Sequence, residues 1–98
     1  MNKMKYNEIF RLKKMLENEN IPFEFREIFG GYQICYPKIG NERICSVIEH
    51  EGSYGNEEDL LEIMGLLTAN EKECDYVVGY LSAEDVFNRI KHHWELAE

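Results

Sequence analysis

Between Glu49 and Glu62 stand the side chains best suited to chemistry or to holding a partner: Glu49, His50, Glu51, Tyr54, Glu57, Glu58, Asp59 and Glu62. One imidazole among that many carboxylates could ligate a metal ion or form a general acid–base pair. The spacing argues against it. Consecutive strand residues point to alternate sides, so His50 cannot share a face with Glu49 and Glu51. A small metal-dependent hydrolase centred on His50 is therefore the weakest of three functional readings, and no residue is assigned as catalytic. The same residues serve more simply as an acidic contact surface for a basic protein partner.

Other candidate constellations are thinner. A second reading is a small-nucleotide sponge, built as a homo-oligomer, whose pocket would use Arg26, Tyr32, Tyr36, Arg43 and Tyr54. Cys35 and Cys45 fall on neighbouring predicted strands and, in the register below, on one face, where they could ligate a metal with His50 or act as a redox pair. No closely spaced Cys or His pair of the zinc-site type accompanies them, and core packing explains them better. His92 and His93 are adjacent on a predicted helix and diverge by about 100°. Gly30-Gly31 and the Gly52–Gly55 loop match no phosphate-cradling fingerprint, and the second is crowded by acids that would repel phosphate. No metal or cofactor is called for.

These residues need elements to position them. Ile44, Cys45, Val47 and Ile48 make a strand, Gly52-Ser53-Tyr54-Gly55 a turn, and Asn56 the cap of a helix. That helix starts with Glu57, Glu58 and Asp59 and continues through Leu60, Leu61, Ile63, Met64 and Leu67 at helical spacing. Upstream, Tyr6, Ile9, Phe10, Leu12, Met15 and Leu16 predict a first helix over residues 3–18. Residues 23–36 predict a hairpin turning on Gly30-Gly31, with Phe29 opposite Tyr32. The side chains of Phe25, Phe29, Tyr32, Ile34 and Tyr36 then share one face. A third strand over residues 42–49, with Tyr36 opposite Glu42, adds Ile44 and Ile48 to that face and sends Ile28, Cys35, Cys45 and Val47 to the other. Residues 68–74 read as a polar connection, and residues 76–81 as a short fourth strand or an extended packing segment. Ser82 caps a last helix with Val86, Phe87, Ile90 and Trp94 on its apolar stripe. Trp94, Ile90, Phe87, Ile34, Phe25 and Leu60 are the expected core. The class is α+β: helix, three-stranded antiparallel meander, helix, the 76–81 segment, C-terminal helix.

The chain of 98 residues supports a single domain, 1–98, and its 44% hydrophobic content is that of a folded protein. No apolar run reaches the roughly 20 residues of a membrane span, and the N-terminus lacks the apolar region of a secretion signal. Three cysteines, an odd number, point to free thiols in the cytoplasm. The net charge of −8 is uneven: residues 1–45 carry eight Lys/Arg against six Asp/Glu, and residues 46–98 three against thirteen. A surface this acidic disfavours direct contact with nucleic acid and favours a basic protein.

The words GYQICYP, CSVIEHEGSYG, LLEIMGLL and VVGYLSAEDVF give the chain a texture that resembles small uncharacterised proteins of phages and prophages of Gram-positive bacteria. The resemblance covers nearly the whole chain and carries no diagnostic motif. It implies a host-takeover or counter-defence factor that acts in the host cytoplasm by binding, an inhibitor of a nucleic-acid-binding or defence protein in the manner of anti-CRISPR or DNA-mimic proteins.

Overall fold

Two helices, one at each end of the chain, lie on the same side of a five-stranded sheet. The computed structural model describes residues 6–74 and 76–97. In chain order it has α1 (Asn7–Asn18), β1 (Glu24–Ile28), β2 (Gly31–Tyr36), β3 (Cys45–His50), a 3₁₀ turn (Asn56–Glu58), β4 (Leu61–Met64), α2 (Ala69–Cys74), β5 (Val77–Leu81) and α3 (Ala83–Ala97). The strands are antiparallel and lie side by side in sequence order. This is the expected α+β class, and the 76–81 segment is a strand of the sheet.

The core forms where α1 and α3 meet one sheet face. Ile9, Leu12 and Leu16 from α1 and Ala83, Val86 and Ile90 from α3 enclose Ile34, Tyr36, Cys45, Val47, Leu61 and Ile63. Of the expected core, Ile34 and Ile90 are fully buried, and Phe25, Phe87 and Trp94 pack half-buried around them. Leu60 is half-buried at the approach to β4. Among the described residues no helix is long and apolar enough to cross a membrane.

Three expectations are corrected. The acidic helix predicted from Glu57 is a single 3₁₀ turn followed by β4, and a short helix, α2, occupies the predicted connection instead. Positive φ values at Gly55 and Asp59 on one side, and at Gly65 and Leu66 on the other, leave a segment too short for a stable helix. Strand alternation then seals Leu61 and Ile63 in the core and turns Glu62 and Met64 outward. Burial in the sheet overrides the helical spacing of the sequence.

The hairpin register is the second correction. Ile28 pairs with Gly31, so Phe29-Gly30 forms the turn and Phe29 is almost wholly exposed. Gly31 serves a different purpose from the one expected: a Cβ there would overlap the Glu49 carbonyl oxygen and come within 2.6 Å of the His50 Cα, so its glycine admits β3 rather than forming the turn.

The third correction follows at β3. Tyr36 pairs with Cys45, not Glu42, an odd shift that exchanges the faces. Cys45 and Val47 join the core face, Ile48 moves to the other, and Ile44 stays exposed ahead of the strand. Cys35, opposite Ser46, is therefore on the face away from Cys45, and the two thiols do not form a pair. Burial pushes the Cys45 thiol up to about 12, which suits a packing residue and not a ligand or redox group.

The strand assignment at β4 can be checked by one substitution. Gly65 has φ +99°, and a Cβ there would overlap the Ile44 carbonyl oxygen. In a helix, Gly→Ala adds about 1 kcal/mol of stability. In this turn Gly65→Ala is expected to lower the melting temperature, by about 8 °C or more if it costs about 2 kcal/mol. A melting temperature that rises would restore the helix.

Candidate functional site: an acidic end built on two helix N-termini

One end of the sheet gathers the start of α1, the β1–β2 turn, the β3–β4 connection and the start of α3. Helix α1 begins at Tyr6, which has φ 68° and provides no side-chain cap of its own. Its unpaired N–H groups are met from across the fold. The Tyr6 N–H donates to Glu49 Oε2 at 3.1 Å, the Ile9 N–H to Glu49 Oε1 at 3.3 Å, and the Glu8 N–H to Asp59 Oδ1 at 3.1 Å. The α3 start is met in turn: the Ala83 N–H donates to Glu8 Oε2 at 2.6 Å, while Ser82 and Asp85 exchange side-chain and backbone hydrogen bonds as a capping box. Arg11 bridges Glu8 and Glu84.

Glu49 is fully buried at the centre of this arrangement. Its two N–H partners favour the carboxylate, but burial and the hydrogen-bonded Asp59 carboxyl outweigh them and push its pKa up to about 8. Glu49 thus acts as a latch between β3 and the α1 N-terminus, its two oxygens holding the Tyr6 and Ile9 N–H groups.

The outer layer of this end is a stiff loop. His50 Nδ1 accepts the Gly52 N–H at 2.9 Å, and Ser53 Oγ both accepts the His50 N–H and donates to the His50 carbonyl. Leu60 N–H closes back on the Gly55 carbonyl at 3.0 Å. Tyr54 lies against Gly79, its N–H donates to Glu62 Oε1 at 2.8 Å, and the Tyr80 hydroxyl donates to Glu57 Oε1 at 2.9 Å.

The predicted contact residues therefore separate into three groups. Glu51, Tyr54, Glu57 and Glu58 are exposed and neighbouring. Asp59 is half-buried and occupied with α1. Glu49, with no exposed surface, is corrected from contact to capping. His50 and Glu62 are on the sheet face opposite the helices, Glu62 across from Ile48 and His50 across from Gly31, and support the loop by accepting the Gly52 and Tyr54 N–H groups. His50 Nδ1 is already committed to the Gly52 N–H, and among the described residues no three His, Cys, Asp or Glu side chains converge as a metal would require.

The alternative ligand set does not converge. Tyr32 stacks on Phe25 with centroids 5.5 Å apart beneath α1, Tyr36 is buried with its hydroxyl 2.7 Å from His93 Nδ1, Arg26 lies on the opposite sheet face against Gln33, and Arg43 is in the β2–β3 loop. Tyr54 is at the acidic end. Among the described residues no pocket joins the five.

The fold adds Glu8, Glu84, Asp85 and Tyr80 to the acidic end, the first three through the α1–α3 junction. Glu84 and Asp85 follow the Ser82 cap in the first turn of α3, and nothing in the sequence joins them to the start of α1. Compared with protein-family models, curated proteins and solved structures, the chain matches none.

The latch makes a pH prediction. Glu49 ionises near 4.5 in the unfolded chain and near 8 when folded, so the folded state holds the proton more tightly. Its contribution is complete below pH 4.5 and is lost as pH rises towards 8. Urea unfolding of the parent is expected to weaken between about pH 5 and about pH 8.5, as the midpoint will show. Glu49→Gln, which keeps the shape and removes the titrating group, should flatten that slope; an unchanged slope would exclude Glu49 as its source.

Proposed function

We propose that this chain is a non-catalytic binding protein whose acidic end engages the basic surface of a nucleic-acid-binding protein, in the manner expected of a phage-encoded inhibitor of a host defence or replication factor. The observation that carries the reading is the composition of that end. Glu51 and Glu58 are exposed with Tyr54, 55% exposed, on a loop held by its own hydrogen bonds; Tyr80 of β5, 53% exposed and hydrogen-bonded to Glu57, and Glu84 and Asp85 at the exposed start of α3 adjoin it. Among the described residues Arg11 is the cation that answers these acids by direct contact, and it is itself divided between Glu8 and Glu84.

Carboxylates at this density attract a cationic groove over about 10 Å of solvent and accelerate encounter. Exposed tyrosines supply rigid contact area at low entropic cost once the surfaces meet. Because the loop is stiff, little ordering entropy opposes docking. A DNA-binding groove is the matching target, since its cations are spaced for phosphates and have no partner when DNA is absent.

The immobilised protein is expected to retain, from lysate of a Gram-positive host at low salt, a basic polypeptide that added duplex DNA displaces. Glu51→Gln/Glu58→Gln should weaken retention most at low salt, and Tyr54→Ala should weaken it at all salt concentrations; neither substitution touches a helix cap. A retained protein that duplex DNA fails to displace would refute phosphate mimicry. Equal retention by the neutralised variant would reduce the acidic end to a solvated surface.

A further inference from the structure

The tip of the β1–β2 hairpin carries groups that the fold does not use. Its backbone is clamped: the Gly30 carbonyl accepts the Tyr6 hydroxyl at 2.8 Å and the Glu51 N–H at 3.2 Å. Beside the clamp, between the start of α1 and the hairpin, is a notch of about 220 Å³ lined by Tyr6, Glu27, Ile28, Gly30, Gly31 and Tyr32. Its aromatic wall is fixed. The Tyr6 and Tyr32 rings meet edge to face with centroids 5.2 Å apart, and Tyr32 is backed by Phe10 and Phe25 at 4.9 and 5.5 Å.

The notch also has an acid of its own. Strand register sets Glu27 directly opposite Tyr32, so the carboxylate and the ring rise side by side from one sheet face. Glu27 is exposed, and among the described residues its carboxylate makes no hydrogen bond or ion pair; Glu24, on the same strand, is taken up by the Ile39 N–H. The Glu51 side chain lies against Gly30 and is equally unanswered among the described residues. The groups that would oppose a cation here, the first N–H groups of α1, are already covered by Glu49 and Asp59.

A carboxylate beside tyrosine rings selects a cation, and shape selects which one. A guanidinium is flat, sheds water readily, lies on aromatic rings and meets a carboxylate with two parallel N–H groups. An ammonium is compact and more strongly hydrated, so it gains less from the rings. We propose that the notch is an arginine site: the guanidinium of a partner's arginine lies against Tyr6 and Tyr32 and pairs with Glu27. Phe29, 97% exposed between two lining residues, then offers apolar contact to the surface that carries the arginine. The inference deepens the binding reading and takes from it only the source of the arginine, a basic partner protein.

The test is an NMR titration of the isotope-labelled chain at low salt with N-acetyl-arginine amide and, separately, N-acetyl-lysine amide. Each is added to about 50 mM, above the dissociation constant of about 1–10 mM that one cation–π contact and one exposed ion pair allow. The arginine amide is expected to shift the Gly30 and Gly31 amide signals and the Tyr6 and Tyr32 ring signals saturably, with cross-relaxation from its methylenes to both rings. The lysine amide should bind about threefold more weakly. Glu27→Gln should raise the arginine dissociation constant about threefold or more, with the spectrum of a folded chain. Glu95→Gln, the same loss of charge at an exposed position near the far end of α3, should leave it unchanged. No saturable shift at the notch would overturn the site, even if the 51–58 loop responds, and would leave the basic-partner reading standing. An unchanged constant in Glu27→Gln, or a lysine amide bound as tightly, would overturn the arginine assignment. Saturable notch shifts in a protein that retains no basic polypeptide from lysate would support the arginine site and count against the partner reading alone.

Discussion

A helix that cannot cap itself depends on the sheet beneath it. The first N–H groups of α1 have no local acceptor, and an isolated helix of 12 residues with a bare N-terminus is marginal in water. Glu49 and Asp59, 40 and more positions along the chain, supply the missing acceptors, and Glu8 in the first turn of α1 then supplies one to α3. The two terminal helices and the middle of the sheet are thus linked by carboxyl-to-amide bonds in sequence: sheet to α1, and α1 to α3. Each carboxylate also lies where a helix N-terminus favours negative charge.

That arrangement has a consequence for surface charge. Carboxylates needed for capping are concentrated at one end, because both helix N-termini point there. Glu49 and Glu8 lie inside, Asp59 is half-buried, and Glu51, Glu58 and Glu84 are outside. The acidic end is therefore partly a by-product of how the helices are terminated and partly an exposed surface. The two can be separated because inner and outer carboxylates are different residues. In the middle of α3, Arg89 holds Glu71 of α2 with two hydrogen bonds, and this pairing holds the Glu71 carboxyl down at about 2. The carboxylates of the protein thus span opposite shifts, upward where burial and a second acid dominate and downward where an arginine faces them.

The sheet also separates two kinds of surface. Its helix-covered face is apolar and closed, and its other face carries a short hydrogen-bonded polar ladder edged by Arg26 and Glu24 on β1 and Glu62 on β4. Strand alternation places these sets on opposite sides with no further cost. Register decides which residues belong to which set, and in this chain register is held by close approaches at Gly31 and Gly65, where the adjacent strand leaves no room for a side chain.

Much of the fold was legible from local chemistry. The α1 stripe, the Ser82–Asp85 capping box, the hairpin near Gly30 and the strand after it follow from spacing, caps and turn residues, which are properties of a few neighbouring positions. The acidity of the 51–58 loop is likewise a matter of composition. What the sequence could not show was how far each strand slides along the next. One residue of register exchanges the two faces, and for that reason Cys45 entered the core and Cys35 was left behind the sheet. The segment from Leu60 to Leu67 has the spacing of a helix and the burial of a strand; only a neighbouring β3 with an open edge decides between them. Glu49 looked like one more surface acid among several. Its position under an uncapped helix, contributed by a distant part of the chain, made it the residue on which the end of the molecule turns.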